Sequence, residues 1–172
     1  NAHFQVQMPA LSFEEACTLP ILWSTARLAL GDCARVRAGQ RMLLHAATGG
    51  VGLVTLEFAQ HLHATVSGSM GRPSKAAYLC RLGVAFLATS RSAAPFVWGF
   101  VSCLMGGRVD AVVSALTDAF IPTSMSLLNG ASCYLEVGKN NVWSRERTAV
   151  ATSDSPFCLV AADYQPAEWT TS

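Results

Sequence analysis

The sequence predicts an α/β fold: a parallel sheet of about six strands with helices on both faces. Three observations carry that expectation. Short apolar runs alternate with helical patterns along the chain, as strands joined by crossover helices do. The first run, "RMLLHAA", is apolar almost throughout, which suits a strand buried on both faces. A glycine cluster, Gly49, Gly50 and Gly52, then separates this strand from a helical pattern.

Composition sets the frame. The chain has 172 residues, 51% hydrophobic and 13% charged, so one domain with a real core is expected and disorder is excluded over most of the length. The net charge of +1 gives no broad attraction to nucleic acid or an anionic membrane, and neither is expected as a partner. The start, "NAHFQVQMPA", lacks a basic segment followed by an apolar block. The most apolar run, "AAPFVWGFVSCLMGG", is too short and too broken by glycine to span a bilayer. Six cysteines (Cys17, Cys33, Cys80, Cys103, Cys133, Cys158) are scattered without CxxC spacing. They read as small buried hydrophobes in a reducing compartment, and a cytoplasmic location is expected.

The elements follow in order. Ser12 and Glu15 have capping-box spacing, which predicts a short helix from Ser12. Pro20 should end it, and a second helix should run from about Ile21 to Leu30 and stop at Gly31. After the first strand and the glycine cluster, a helix should place Val51, Val54, Phe58 and Leu62 on its packed side. "ATVSGSM" is a second strand. "PSKAAYLCRLG" is a helix with Pro73 in its first turn and Gly83 past its end. "VAFLATS" is a third strand and "DAVVSAL" a fourth. "FIPTSMSLLNG" fits a short helix with Gly130 at its exit. "ASCYLEVGK" and "FCLVAAD" complete the sheet. The segment 91–107 gives no clear pattern.

The glycine cluster carries the functional signal. A strand–glycine–helix turn suits a dinucleotide site, because glycines allow a tight turn, a close approach of backbone to pyrophosphate, and close helix–strand packing. Free amides at the helix N-terminus then face the phosphates. Ala47 takes the place of the first glycine, giving A-x-G-G-x-G. A plain tight turn is the competing explanation, and for an isolated glycine cluster it is the commoner one. The strand before, the helix after and the next strand at the expected distance favour a Rossmann-type sheet. Where a site for NAD usually has Asp or Glu, the second strand ends in "SGSMGRPSK", with Arg72 and Lys75 and no acid. That pair suits a 2′-phosphate; it also fits solvated charge at a helix start.

At this point the chain resembles a known family. "EEACTLPILWSTARLAL", "AGQRMLLHAATGGVG", "GGRVDAVVSAL" and "YLEVGKNNVWSRERTA" are similar to the enoyl reductase domains of polyketide synthases and animal-type fatty acid synthases. These belong to the zinc-free branch of the medium-chain dehydrogenase/reductase superfamily. The resemblance runs from about Leu11 to Asp163. It implies an NADPH-binding domain over 12–163, preceded at 1–11 by the end of a substrate-binding part or a linker and followed at 164–172 by a frayed tail. It also implies hydride transfer to an enoyl thioester borne on an acyl carrier protein, with neighbouring synthase domains as partners; a homodimer is left open. Carried over position by position, it puts Gly49, Gly50, Val51 and Gly52 on the pyrophosphate loop, Lys75 near the 2′-phosphate, Arg91 near the adenosine, and Ser114 where the family usually has Asn. Thr48, beside the loop, and Arg72, by its charge, join them as candidate cofactor-binding residues. Lys139 matches the lysine proposed as proton donor or substrate orienter, and Asp163 the aspartate that accompanies it. No metal is implied.

Bland readings stand beside these. Lys139 is also what a solvated strand-end lysine looks like, and Asp163 a turn residue. His45, inside the first strand, reads as a satisfied core histidine. Trp23 and Trp98 read as core. Two other functions stay open at this stage: a non-catalytic structural remnant within a synthase, which the apolar 93–105 segment favours, and a free-standing quinone-type reductase.

Overall fold

The computed structural model describes residues 11–104, 107–151 and 156–160. Six strands form one all-parallel sheet: β1 (Arg41–Leu44), β2 (Thr65–Met70), β3 (Phe86–Thr89), β4 (Val109–Ser114), β5 (Leu128–Glu136) and β6 (Phe157–Leu159). Their order across the sheet is β3-β2-β1-β4-β5-β6. The chain winds outward in both directions from β1 and β4, so the crevice at their carboxyl ends is the switch point where open α/β sheets take ligands.

The helices divide between the two faces. Met42, Leu44, Ala111, Val113 and Leu135 alternate onto one face, against Leu56 and Ala59 of α2 (Gly50–His61) and Leu79 of α3 (Ala76–Arg81). Leu43, Val112 and Tyr134 alternate onto the other, against Phe96 and Phe100 of α4 (Ala93–Cys103) and Ile121 and Met125 of α5 (Phe120–Ser126). The expected α/β architecture with helices on both faces is therefore present. A further helix, α6 (Arg145–Ala151), leads to β6; the sequence pattern had not marked it.

Other expectations need correction. Ser12 caps α1 (Phe13–Arg27) with the full capping box, but the helix runs straight through Pro20. Proline costs a backbone bond there, yet Trp23 lies edge-on against Phe58 of α2 and Leu22 covers Gly50, so tertiary packing carries α1 past it. Gly31 does not stop the chain either. Residues Leu28–Cys33 continue as a π-helical stretch that buries Leu28, Ala29 and Leu30 in the core. Gly130 lies within β5, not at a helix exit. Val109 pairs with Leu128 but Ala111 with Cys133, so an irregularity in β5 absorbs Asn129–Ala131. On α2, Val54 is buried and Phe58 and Leu62 pack half-buried against the core as expected, Val51 is half-buried, and Gly52, Leu56 and Ala59 complete the packed face. Cys17, Cys80 and Cys103 are exposed rather than buried, and Cys133 alone among the described six is fully buried. Trp98 is no core residue: it is 74% exposed on α4. Among the described residues no helix is long and apolar enough to cross a membrane.

Candidate functional site

The site forms where β1 turns into α2. His45 ends the ladder, its amide still bonded to the Val113 carbonyl at 2.9 Å. The chain then passes through Ala46 in the left-handed region, φ 49°, a conformation that non-glycine residues hold only under structural constraint. Gly49 caps α2 in extended conformation with no side-chain bond, leaving first-turn amides without a side-chain partner. Gly52 is needed for helix–strand packing. A Cβ there would stand 2.5 Å from the Ala46 carbonyl oxygen and 2.9 Å from the Ala47 backbone. Any larger residue would push α2 off the turn.

His45 braces this turn from below. It is 2% exposed. Ser124 donates to the Phe120 carbonyl at 2.6 Å, so its oxygen is left to accept from His45 Nε2 at 2.7 Å. His45 Nδ1 then accepts from the Ser69 hydroxyl at 2.8 Å. This assigns the neutral Nε2–H tautomer. Burial pushes its pKa down to about 3, so the imidazole stays neutral. The expectation of a satisfied core histidine holds, and it ties β2 and α5 to the end of β1.

A basic corner adjoins the loop. Lys75 Nζ donates to Thr48 Oγ1 at 3.3 Å, placing its charge at the mouth of the glycine turn. Arg91, from the end of β3, folds back and donates from Nε to the Gly71 carbonyl at 2.7 Å. Arg72 is exposed beside it, opening the turn Pro73–Lys75. Arg91 thus reaches the residue after β2, Arg72 follows it in the chain, Lys75 reaches the adjoining glycine turn, and no acid occurs in 69–75 or 90–92.

From this corner a groove crosses the carboxyl ends of the strands. A cavity of about 380 Å³ is lined by Ser90, Arg91, Leu116 and Thr117. A second, of about 630 Å³, is lined by Pro122, Asn141, Trp143, Ser144 and Arg147. Asp118 and Ala119 belong to both, so the two are continuous along the loop after β4. The Arg147 guanidinium stacks on Trp143 at 4.0 Å from the ring centroid. Apart from Arg91, sequence reasoning missed these residues, which lie on the loops after β3, β4 and β5, in α5 (Pro122) and in α6 (Arg147), without a motif.

Lys139 stands exposed just beyond β5, two residues before Asn141 of the second cavity. Asp163 lies outside the described residues. Ser114 is fully buried; it points to the α4/α5 face, where its hydroxyl accepts the Leu116 amide at 3.3 Å, and it lines neither cavity. Sequence reasoning also missed Glu136. It is 3% exposed, and its Oε1 accepts the Gly138 amide at 2.7 Å. Burial pushes its pKa up to about 7, against the pull of the Gly138 amide and the nearby Tyr134 hydroxyl. A carboxylate inside the apolar run "YLEVG" was the available signal, since buried acids need partners.

The arrangement can hold an elongated anion: glycine backbone and helix N-terminus at one point, basic residues at one end, and a groove that reaches Asn141, two residues after Lys139.

Comparison with known proteins follows this geometry. No protein-family model matches the chain. It is 33% identical over 156 residues to the highly reducing polyketide synthase claI of Penicillium crustosum, a match that covers 89% of this chain and 7% of the synthase. It superposes on the nucleotide-binding subdomain of the enoylreductase domain of PpsC from Mycobacterium tuberculosis with a TM-score of 0.77 and 30% identity, covering 87% of each chain. It also superposes on the CurK enoyl reductase with a TM-score of 0.87 and 30% identity, covering 92% of this chain and 47% of that one. The chain therefore spans about half of the CurK enoyl reductase and a small part of the synthase.

Proposed function

This chain belongs to the enoyl reductase domains of polyketide synthases, of the medium-chain dehydrogenase/reductase superfamily, and from that premise we propose that it is the NADPH-binding part of such a reductase. The observation that carries the proposal is the meeting of the glycine turn with Lys75 and Arg91 at the acid-free end of β2. The first-turn amides of α2, which Gly49 caps without a side-chain bond, fit a pyrophosphate, and Gly52 lets α2 start this close to the turn. Thr48, Gly49, Gly50, Val51 and Gly52 would hold it, and Arg72, Lys75 and Arg91 would take the 2′-phosphate and its ribose.

The substrate in this reading is an α,β-unsaturated thioester on an acyl carrier protein, within a cytoplasmic synthase whose neighbouring domains are the other partners. NADPH, when bound, supplies the hydride for the β-carbon. Lys139, at the carboxyl end of a parallel strand, polarises the thioester carbonyl or delivers the proton to the α-carbon. Asp163 is proposed as its companion. The other half of the cleft comes from sequence beyond this chain, so the chain alone binds dinucleotide and turns over poorly.

The test is NADPH oxidation, read by absorbance, with a crotonyl thioester. It is run on the 172-residue chain and on a longer chain extended at both ends. Turnover should require the longer chain. There, Lys139→Ala should lower kcat by about tenfold or more while shifting NADPH affinity far less. Robust turnover by the short chain, or full turnover without Lys139, would contradict the assignment. A longer chain that binds NADPH and never turns over would instead mark a structural remnant.

A further inference from the structure

Glu136 needs a reason to be where it is. The described strands carry one other acid, Asp110, half-buried in β4. That acid has structural work: it accepts the Arg41 amide at 2.8 Å and the Asn129 side-chain amide at 2.5 Å, tying β1 to β5. Glu136 ties no strands together through its side chain. Its carboxylate instead curls forward over the next turn of chain. Oε1 lies 2.7 Å from the Gly138 amide nitrogen, and a Cβ built on Gly138 would stand 2.7 Å from the same oxygen. Only glycine admits the carboxylate at that distance. The backbone is fixed around this point as well. Val137 donates to the Ser114 carbonyl and Val160 to the Glu136 carbonyl, both at 2.8 Å. Gly138, held by the Glu136 carboxylate, immediately precedes Lys139.

We propose that Glu136 is the positioning residue for Lys139: its carboxylate pins the Gly138 amide and so fixes the backbone from which the lysine side chain projects after β5. The proposal rests on the role given to Lys139 above. It adds a residue that acts through another and does not itself touch substrate.

The surroundings make this anchor sensitive to proton binding. On its own strand Glu136 faces Tyr134, whose buried hydroxyl stands beside Ser114 and Glu136. Across β4 it faces Ser114, and across β6 Leu159, both uncharged; Lys139 is in the loop itself. With the carboxyl raised to about 7 by burial, the bond to Gly138 changes from neutral to charge-assisted around neutral pH, and charge-assisted bonds are the stronger.

The anchor is read directly on the 172-residue chain by the ¹⁵N–¹H shift of Gly138 between about pH 3 and 9. One titration near neutrality is expected, lost in Glu136→Gln, which keeps an acceptor oxygen and the fold. A Gly138 amide shift that does not follow the protonation of Glu136 at any pH between about 3 and 9, or that still titrates in Glu136→Gln, overturns the anchor. The link to Lys139 is read as turnover of the longer chain. Glu136→Ala should lower kcat by roughly the factor seen for Lys139→Ala, with NADPH affinity within about twofold. The double variant should lose nothing further, and Glu136→Gln should restore most of the turnover. Additive losses, or no recovery with Gln, would overturn the positioning role. Full turnover in Lys139→Ala together with an intact Gly138 titration would support the anchor and overturn the role proposed for Lys139.

Discussion

His45 and Glu136 sit on the same face of the sheet and answer pH in opposite senses. His45 is held near a pKa of 3 by burial, so between about 6.5 and 3 the unfolded chain takes a proton that the folded chain refuses, and stability falls as pH falls. Glu136 is held near 7 by burial, so between about 4.5 and 7 the folded chain keeps a proton that the unfolded chain releases, and stability falls as pH rises. Each involves one proton, so the two offset between about 4.5 and 6.5. Variants separate them. In Glu136→Gln, melting temperature should climb from pH 3 to 6.5; in His45→Gln, it should decline from 4.5 to 7. Thermal melts across that range check both, and slopes unchanged by the substitutions would contradict the assignment. At this scale the sequence was partly legible. His45 could be read as core because one histidine inside an apolar run must be satisfied. Its partners Ser69 and Ser124, 24 and 79 residues away, could not, because a hydroxyl carries no pattern. Lys75 was legible by charge at a strand end, but its contact with Thr48 depends on how two loops meet.

At the scale of elements, what steric rules dictate was legible and what packing decides was not. The turn from β1 to α2 announced itself because only glycine admits the approach of Gly52 to the Ala46 carbonyl. Gly52→Ala should therefore cost roughly 1–3 kcal/mol of stability by overpacking against backbone. It should also abolish dinucleotide binding in the fraction that folds; a denaturant melt and a titration on the same sample check this. Pro20 misled in the opposite direction. Propensity predicts a break, yet the contacts of Leu22 and Trp23 with α2 hold α1 together. The segment 93–105 gave no period because α4 carries no charged residue on either face: Phe96 and Phe100 face the sheet while Trp98 and Val101 face outward. For α6, a polar stretch between loop residues offered no apolar stripe to read.

On the scale of the whole molecule, the parallel sheet gathers the site at one end. The basic corner at β2 and β3, the glycine turn after β1, the groove beyond β4 and Lys139 after β5 all lie at carboxyl ends of strands, as the winding about β1 and β4 requires. In the proposed function this geometry serves the dinucleotide, and the thioester cleft needs the rest of the reductase; the chain spans about half of the CurK enoyl reductase. Calorimetric titration of the 172-residue chain with NADPH and NADH at fixed salt tests the account most directly. The account predicts that NADPH binds at least about tenfold more tightly. Arg72→Ala and Lys75→Ala should each narrow that ratio by weakening NADPH, because a charge-assisted bond contributes roughly 1.5–3 kcal/mol. No binding of either dinucleotide, equal affinity for the two, or a ratio untouched by both substitutions would contradict it.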